Sequence, residues 1–182
     1  EESGHLDNSY IILTSDHGQL FERGVHGHDT PLLYEPIIRV PLMISAPGQQ
    51  ARQDIYTSTS SVDIVPTLLH LFGGDIPPWC EGKPLPKIGN AVEATARNIF
   101  AIEAKRNPMK APLTIGTAAL LREGYKLIHY FGYSGYENEY ELYNLENDPE
   151  ELEDLSQTRI QLANTMKSDL REQLRIVNSP FE

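Results

Sequence analysis

The sequence predicts an α/β fold in its first half that passes into an α+β arrangement in its second half. Three observations predict it. Two short apolar runs, "SYIIL" and "VPLMIS", lie on either side of a loop rich in glycine and proline. A helical stretch, "VDIVPTLLHLFGG", follows them. From Arg97 onward, short runs rich in β-branched and aromatic residues lead into an amphipathic tail.

"SYIIL" (Ser9–Leu13) is nearly all apolar and ends at "TSDHG", the pattern of a strand buried on both faces of a parallel or mixed sheet. Ligands in open α/β sheets collect at the carboxyl ends of strands, where Asp16 and His17 fall. "VPLMIS" (Val40–Ser45) is a second such run and ends in the turn signal "APG". Between them, Gly18, Gly24, Gly27, Pro31 and Pro36 mark a long irregular loop, the kind of segment that carries function. Ser60, Ser61 and Asp63 offer capping side chains to the following helix, and Pro66 fits its first turn. Leu68, Leu69 and Phe72 form its apolar face, and Gly73-Gly74 ends it. "DIPPWCEGKPLPKIGN" is too rich in Pro and Gly for regular structure and reads as a connector.

"NIFAIEA", "TIGTAALLREG", "YKLIHYF" and "YELYNL" read as short strands, the last two as a hairpin around a Gly132–Asn138 turn. In the tail, Met166, Leu170, Leu174 and Val177 recur at helical spacing among charged residues, so Thr158 to Val177 should pack as an amphipathic helix on one side of that sheet. The chain thus divides near residue 90. Residues 1–90 hold the end of a large mixed sheet with its loop and helix. Residues 91–182 hold a small antiparallel sheet packed by a C-terminal helix.

Composition narrows the function. A hydrophobic fraction of 40% and a charged fraction of 23% are those of a globular protein. The formal net charge of −11, with no basic run, disfavours nucleic acid and anionic lipid as partners. One cysteine, Cys80, makes neither an internal disulfide nor a zinc site of paired cysteines. No apolar stretch approaches the roughly 20 residues of a membrane helix. The chain starts at Glu1 with no targeting signal, which reads as a piece of something longer and leaves localisation open.

The chemistry concentrates in "TSDHGQLFERGVHGHDTP". A carboxylate next to an imidazole at the end of a fixed strand suits Mn²⁺ or Zn²⁺, and an Asp oxygen alone suits Ca²⁺ or Mg²⁺. Gly18 lets the turn approach its surroundings without a Cβ. A bare Asp-His-Gly is equally a capped surface turn, and context decides between the two.

That context is the ordered set "DNSYIILTSDHGQLFERGVHGHDTPLLYEPIIRVPLMISAPG", "VDIVPTLLHLFGG", "YKLI" and "YELYNLENDPEELEDL". It resembles the C-terminal part of sulfatases in the alkaline phosphatase superfamily, in the same order over nearly the whole chain. The resemblance implies an alkaline-phosphatase-like sulfatase fold, the end of its large sheet followed by its C-terminal subdomain. It implies metal-dependent hydrolysis of sulfate esters, or of phosphodiester or phosphonate esters in related members. Asp16 and His17 would be ligands to a divalent metal ion, Ca²⁺ by family resemblance, with Mn²⁺ and Zn²⁺ also compatible. The family's nucleophile is a formylglycine made from Cys or Ser in a C/S-x-P-S-R motif, and this chain contains no such motif. The chain is therefore expected to hold about half a metal site, no nucleophile and no catalysis by itself.

The sequence departs from the family at one point. Many sulfatases place a lysine before "LYE" to bind the sulfate, whereas Arg23 is the only cation between Gly18 and Tyr34. His26 and His28 stand there instead. They could contact the anion, protonate the leaving oxygen or ligate a metal, or lie exposed on the loop without a role.

The expected partner is a small-molecule sulfate or phosphate ester, with no nucleic acid and no membrane. A strand such as Ile11–Leu13 without upstream neighbours leaves sheet edges that invite a homodimer. A rival reading is a non-catalytic module whose acidic surface and tyrosine-rich sheet bind a protein. The tyrosines from Tyr125 to Tyr143 read as sheet packing and His70 as structural; the acidic run Glu146–Asp154 lacks EF-hand spacing, and the resemblance implies that it is a solvated turn. Glu103 ends its strand with no assigned role.

Overall fold

The computed structural model describes residues 4–88, 97–134 and 139–181. The division expected near residue 90 and the tip of the Gly132–Asn138 turn, including Tyr136, lie outside the described residues. Contacts divide the chain into two units, Glu1–Ala51 with Phe100–Glu182, and Arg52–Ile99.

In the first unit, β1 (Ile11–Thr14) and β2 (Leu42–Ser45) form an antiparallel ribbon with Ile11 opposite Ser45 and Thr14 opposite Leu42. The sequence predicts strands buried on both faces. Instead Ile11, Leu13 and Met43 are 46%, 53% and 60% exposed. A two-stranded ribbon has too few neighbours to cover its own faces, so apolar character and burial part company here.

The remainder of this unit is built on a four-stranded sheet, in the order β3 (Ile99–Glu103), β4 (Gly116–Arg122), β5 (Tyr125–Phe131), β6 (Tyr140–Asn144). The β4–β5 and β5–β6 pairs are antiparallel, and the second is the pairing that the alternating runs predict. Side chains alternate across the pleat, and the two faces take different covers. Ala118, Leu120, Leu127, Tyr140 and Leu142 meet Ala163, Met166 and Leu170 of α3 (Ile160–Asn178), the C-terminal helix. Ala119, Ile128, Tyr130 and Tyr143 face the other way and meet Leu20, Leu33, Tyr34 and Ile37. The long loop after β1 is thus the second layer of the sheet. It includes one short helix, α1 (Glu35–Ile38).

Among the groups on the α3 side, His129 stacks on Tyr140 with centroids 4.2 Å apart and planes within 9°. Burial, then the charge of Arg171, lowers its pKa to about 4, with Lys167 adding to the effect and Glu139 opposing it. The unfolded chain takes up this proton near pH 6.5 and the folded chain resists it until about pH 4. Stability conferred by the neutral ring is therefore complete above pH 6.5 and is lost as pH falls through about 4. Because the ring keeps some solvent contact, the loss should be about 1–2 kcal/mol. Thermal melts of wild type and His129→Phe between pH 7 and 4 check this: the variant should show the shallower slope.

In the second unit, α2 (Ile64–Leu71) follows a 3-10 turn at Ser61–Asp63 with a reciprocal capping box between Ser60 and Asp63. Gly73 at φ 69° ends it, with the Gly74 N–H donating to Leu69 O at 2.8 Å. The apolar face predicted from Leu68, Leu69 and Phe72 is not the covered one. Leu68 and Phe72 are exposed, and Asp63, Pro66 and Thr67 are buried. The connector docks on that polar face instead. Lys83 N–H donates to Asp63 Oδ1 at 2.9 Å and Leu85 N–H to Thr67 Oγ1 at 2.8 Å. Arg97 pairs with the other Asp63 oxygen. Backbone donors without a ladder partner need such acceptors, and they decide which face of α2 is covered.

Candidate active site

The chain leaves β1 into Ser15, Asp16 and His17. Asp16 Oδ1 accepts the His17 N–H at 2.9 Å, and the Ser15 hydroxyl donates to the His17 carbonyl at 2.7 Å. Next comes Gly18, whose N–H donates to Ile37 O at 2.7 Å. A Cβ on residue 18 would sit 2.0 Å from Pro36 O, so only glycine fits where the turn passes the α1 backbone. Leu20 and Gly27 then exchange N–H···O bonds of 3.0 and 2.8 Å, folding the loop back on itself.

The sheet holds this loop by several polar ties. The Tyr34 and Tyr130 hydroxyls both donate to Glu141 Oε2, at 3.0 and 2.9 Å. Burial first, then the Glu141 charge, raises the pKa of both phenols, so they remain donors. Arg23 lies 4.1 Å from the Tyr34 ring centroid and donates to the Glu150 and Glu151 carbonyls. Deepest is Lys126, fully buried, with its ammonium 2.9 Å from Glu35 Oε1 and 2.5 Å from Glu151 Oε1. The Glu35 N–H donates to Glu151 Oε2 at 2.6 Å. Burial pushes the Glu151 carboxyl pKa up, Lys126 draws it down, and Glu35 opposes Lys126. The acidic run read as a solvated turn therefore contributes a fully buried ion partner. Its role depends on Lys126 and Glu35, which are distant in sequence.

At the corner this scaffold supports, Asp16 Oδ2 and His17 Nε2 stand 3.7 Å apart. His17 Nδ1 lies 2.9 Å from Gly18 O, and a carbonyl only accepts, so Nδ1 carries the proton and Nε2 offers its lone pair. The His17 N–H holds the Asp16 carboxyl below the usual carboxylate range. The His28 ring lies 3.9 Å from the His17 ring, tilted by 32°. Gln19 Nε2 donates to His28 Nδ1 at 3.1 Å, which leaves the His28 proton on Nε2. Asp16, His17 and His28 thus come together. His26 is exposed and makes none of these contacts.

Two residues that sequence reasoning missed stand beside them. Gln19 fixes the His28 tautomer, and its only signal is its place directly after Asp-His-Gly. Lys105, after β3, brings its ammonium within 3.4 Å of His28 O and 3.7 Å of Asp29 Oδ1. No local pattern links it to a loop 77 positions away.

These residues fit half of a metal site. An ionised carboxylate and an imidazole nitrogen with a free lone pair converge, and the other imidazole nitrogen is tied to a carbonyl, the arrangement that orients a metal-binding histidine. Among the described residues, no group of three His, Cys, Asp or Glu side chains is placed to hold an ion by itself.

The antiparallel sheet with α3 on one face and the Asp-His-Gly loop on the other has a fold found in solved sulfatase structures. The chain matches the solved structure of the putative sulfatase yidJ from Bacteroides fragilis with a TM-score of 0.77 at 23% identity, over 96% of this chain and 37% of that one. It matches the phosphonate monoester hydrolase SpPMH from Silicibacter pomeroyi with a TM-score of 0.74 at 24% identity, over 97% of this chain and 36% of that one. Residues 24–179 match the family model described as N-sulphoglucosamine sulphohydrolase, C-terminal. The chain belongs to that family, the C-terminal portion of sulfatases in the alkaline phosphatase superfamily. It is 30% identical over 159 residues to the N-acetylglucosamine-6-O-sulfatase of Bacteroides thetaiotaomicron, an alignment covering 85% of this chain and 28% of the relative. The chain thus spans about a third of the length of the proteins it matches. Sulfatases of this superfamily are in general metal-dependent.

Proposed function

We propose that this chain works within a metal-dependent hydrolase of sulfate esters and supplies the Asp16–His17 half of its metal site. The observation that carries this reading is the convergence of Asp16 Oδ2 and His17 Nε2, 3.7 Å apart, with a histidine N–H donor beside them. A divalent ion bound there would polarise the ester as a Lewis acid. Ca²⁺ is the ion by family resemblance, and the same donors accept Mn²⁺ or Zn²⁺. Asp16 supplies negative charge and His17 a neutral nitrogen, each held in place by its own hydrogen bonds. His28 donates from Nε2 to an ester or leaving-group oxygen. His26, outside the contact cluster, serves at most as an outer contact for the substrate. A nucleophile from a C/S-x-P-S-R motif lies outside this chain, so the chain alone is inactive. We propose that the main-domain portion gives way to the C-terminal subdomain near residue 90. The family description and the Bacteroides relative both name a glucosamine, and the proposed substrate class is a sulfated amino sugar.

The test is hydrolysis by the full-length protein that contains this chain, on matched nitrophenyl sulfate, phosphate, phosphodiester and phosphonate esters. The sulfate ester should give the highest kcat/KM. Preference for a phosphorus ester would keep the metal corner and overturn the substrate. Silence on every ester, with metal supplied, would favour a protein-binding module.

A further inference from the structure

We propose that Lys105 is the cation that holds the anionic group of the substrate at this corner. The turn after β3 thus provides the charge that the loop between Gly18 and Tyr34 lacks. This rests on the ester-hydrolase reading above and names a residue for its anion contact.

The charges around the corner call for such a group. Asp29, next to His28, is a carboxylate outside the proposed ligand pair, and an anionic ester approaching it meets repulsion unless a cation is within reach. The loop's own cation, Arg23, is committed to the Tyr34 ring and to the Glu150 and Glu151 carbonyls. Lys105 places its ammonium 3.4 Å from the carbonyl of His28, the residue whose ring lies 3.9 Å from that of His17.

Its backbone is held in place from several sides. Glu103 Oε1 accepts the Lys105 N–H at 2.9 Å, and Glu103 Oε2 accepts the Tyr133 hydroxyl at 2.8 Å. Asn107 donates to Ala104 O at 3.0 Å and accepts from the Thr114 and Ile115 N–H groups at 2.8 and 3.1 Å. A turn fixed by these hydrogen bonds presents one long side chain toward the loop, the condition under which a binding group is positioned before its ligand arrives.

The ammonium is also available. Its charge partner, Asp29, is 3.7 Å away with its side chain 99% exposed, and the Lys105 side chain is itself 56% exposed. Exposed pairs of this kind are weak, so a sulfate or phosphate group entering the corner can displace Asp29. Glu103, which the sequence left without a role, thereby becomes the positioning residue for Lys105.

A bland alternative makes Lys105 a strap that ties residues 28–29 to the sheet. The two roles separate in a comparison of Lys105→Ala, Lys105→Arg and Asp29→Asn in the full-length protein. The readouts are KM and kcat for a nitrophenyl ester, the inhibition constant of inorganic sulfate, and bound metal. An anion contact predicts that Lys105→Ala raises KM and the sulfate inhibition constant by about 10-fold or more, the effect of one hydrogen bond to a charged group. Metal content should be unchanged, and Lys105→Arg should recover part of the loss. Asp29→Asn should hold or lower both constants, because it frees the ammonium. Constants within two-fold of wild type in Lys105→Ala would overturn the proposal, as would Asp29→Asn matching the Lys105→Ala defect. A wild-type protein that hydrolyses no ester fails before any variant is made, and that outcome removes the functional reading and the Lys105 contact together.

Discussion

Replacing Asp16 by alanine in the full-length protein is expected to remove bound metal and to lower kcat/KM by about 10³-fold or more. The size follows from the Lewis-acid role: several kcal/mol of transition-state stabilisation depends on the ion, at about 1.36 kcal/mol per decade. Asp16→Asn is the sharper variant. It keeps an oxygen for the His17 N–H yet loses the charge, so it should bind metal poorly with the turn still formed. Folding should hardly respond, since the Asp16 side chain is 85% exposed and packs against nothing buried. The His17 N–H keeps the Asp16 carboxyl ionised below the usual carboxylate range, so the carboxylate should still be available as a ligand in moderately acidic solution. Metal content by elemental analysis, measured with kcat/KM and a thermal melt, separates the outcomes. Activity near wild type in either variant would remove Asp16 from the site.

The second large effect is on stability. Lys126→Met leaves the mostly buried Glu35 and the fully buried Glu151 as two carboxylates with no cation between them. Removing one partner of a buried ion cluster costs about 3–5 kcal/mol, most of it from the charge left behind. The Glu151 pKa is already raised in the folded chain, so its protonation favours folding. Stability from that proton is complete below the unfolded carboxylate pKa and is lost as pH rises through the raised value. The Lys126→Met deficit should accordingly shrink on acidification. Urea midpoints for Lys126→Met and for Lys126→Met with Glu35→Gln and Glu151→Gln test this, with the triple variant recovering much of the loss. Because Glu35 begins α1, against which Gly18 packs, loosening the cluster should also free the Asp16–His17 turn.

The fold was legible where pattern is local. The amphipathic period from Thr158 to Val177 marks α3, and the alternation of "YKLIHYF" and "YELYNL" marks β5 and β6. Gly18 was readable as a close approach, and the 2.0 Å clash of a Cβ with Pro36 O shows what it approaches. The covered face of α2 was not legible, because acceptors on Asp63 and Thr67 attract a connector from 20 residues away. Nor was the apolar ribbon's exposure, since hydrophobicity says that a strand needs cover and not which segment provides it. At the candidate site, Asp16, His17 and His28 were named from one stretch of sequence, and the loop brings the three side chains together. Lys105 and the Lys126–Glu35–Glu151 cluster are juxtapositions of distant segments, which composition and spacing cannot signal. His26 and His28 look alike in sequence, and only the fold of the loop sets them apart.

The most direct test of the metal corner is anomalous scattering from crystals of the full-length protein grown with Mn²⁺. An anomalous peak within about 2.0–2.6 Å of Asp16 Oδ2 and His17 Nε2, with the remaining ligands from outside this chain, is the predicted result. Bound metal elsewhere, with Asp16 and His17 turned to solvent, would contradict it.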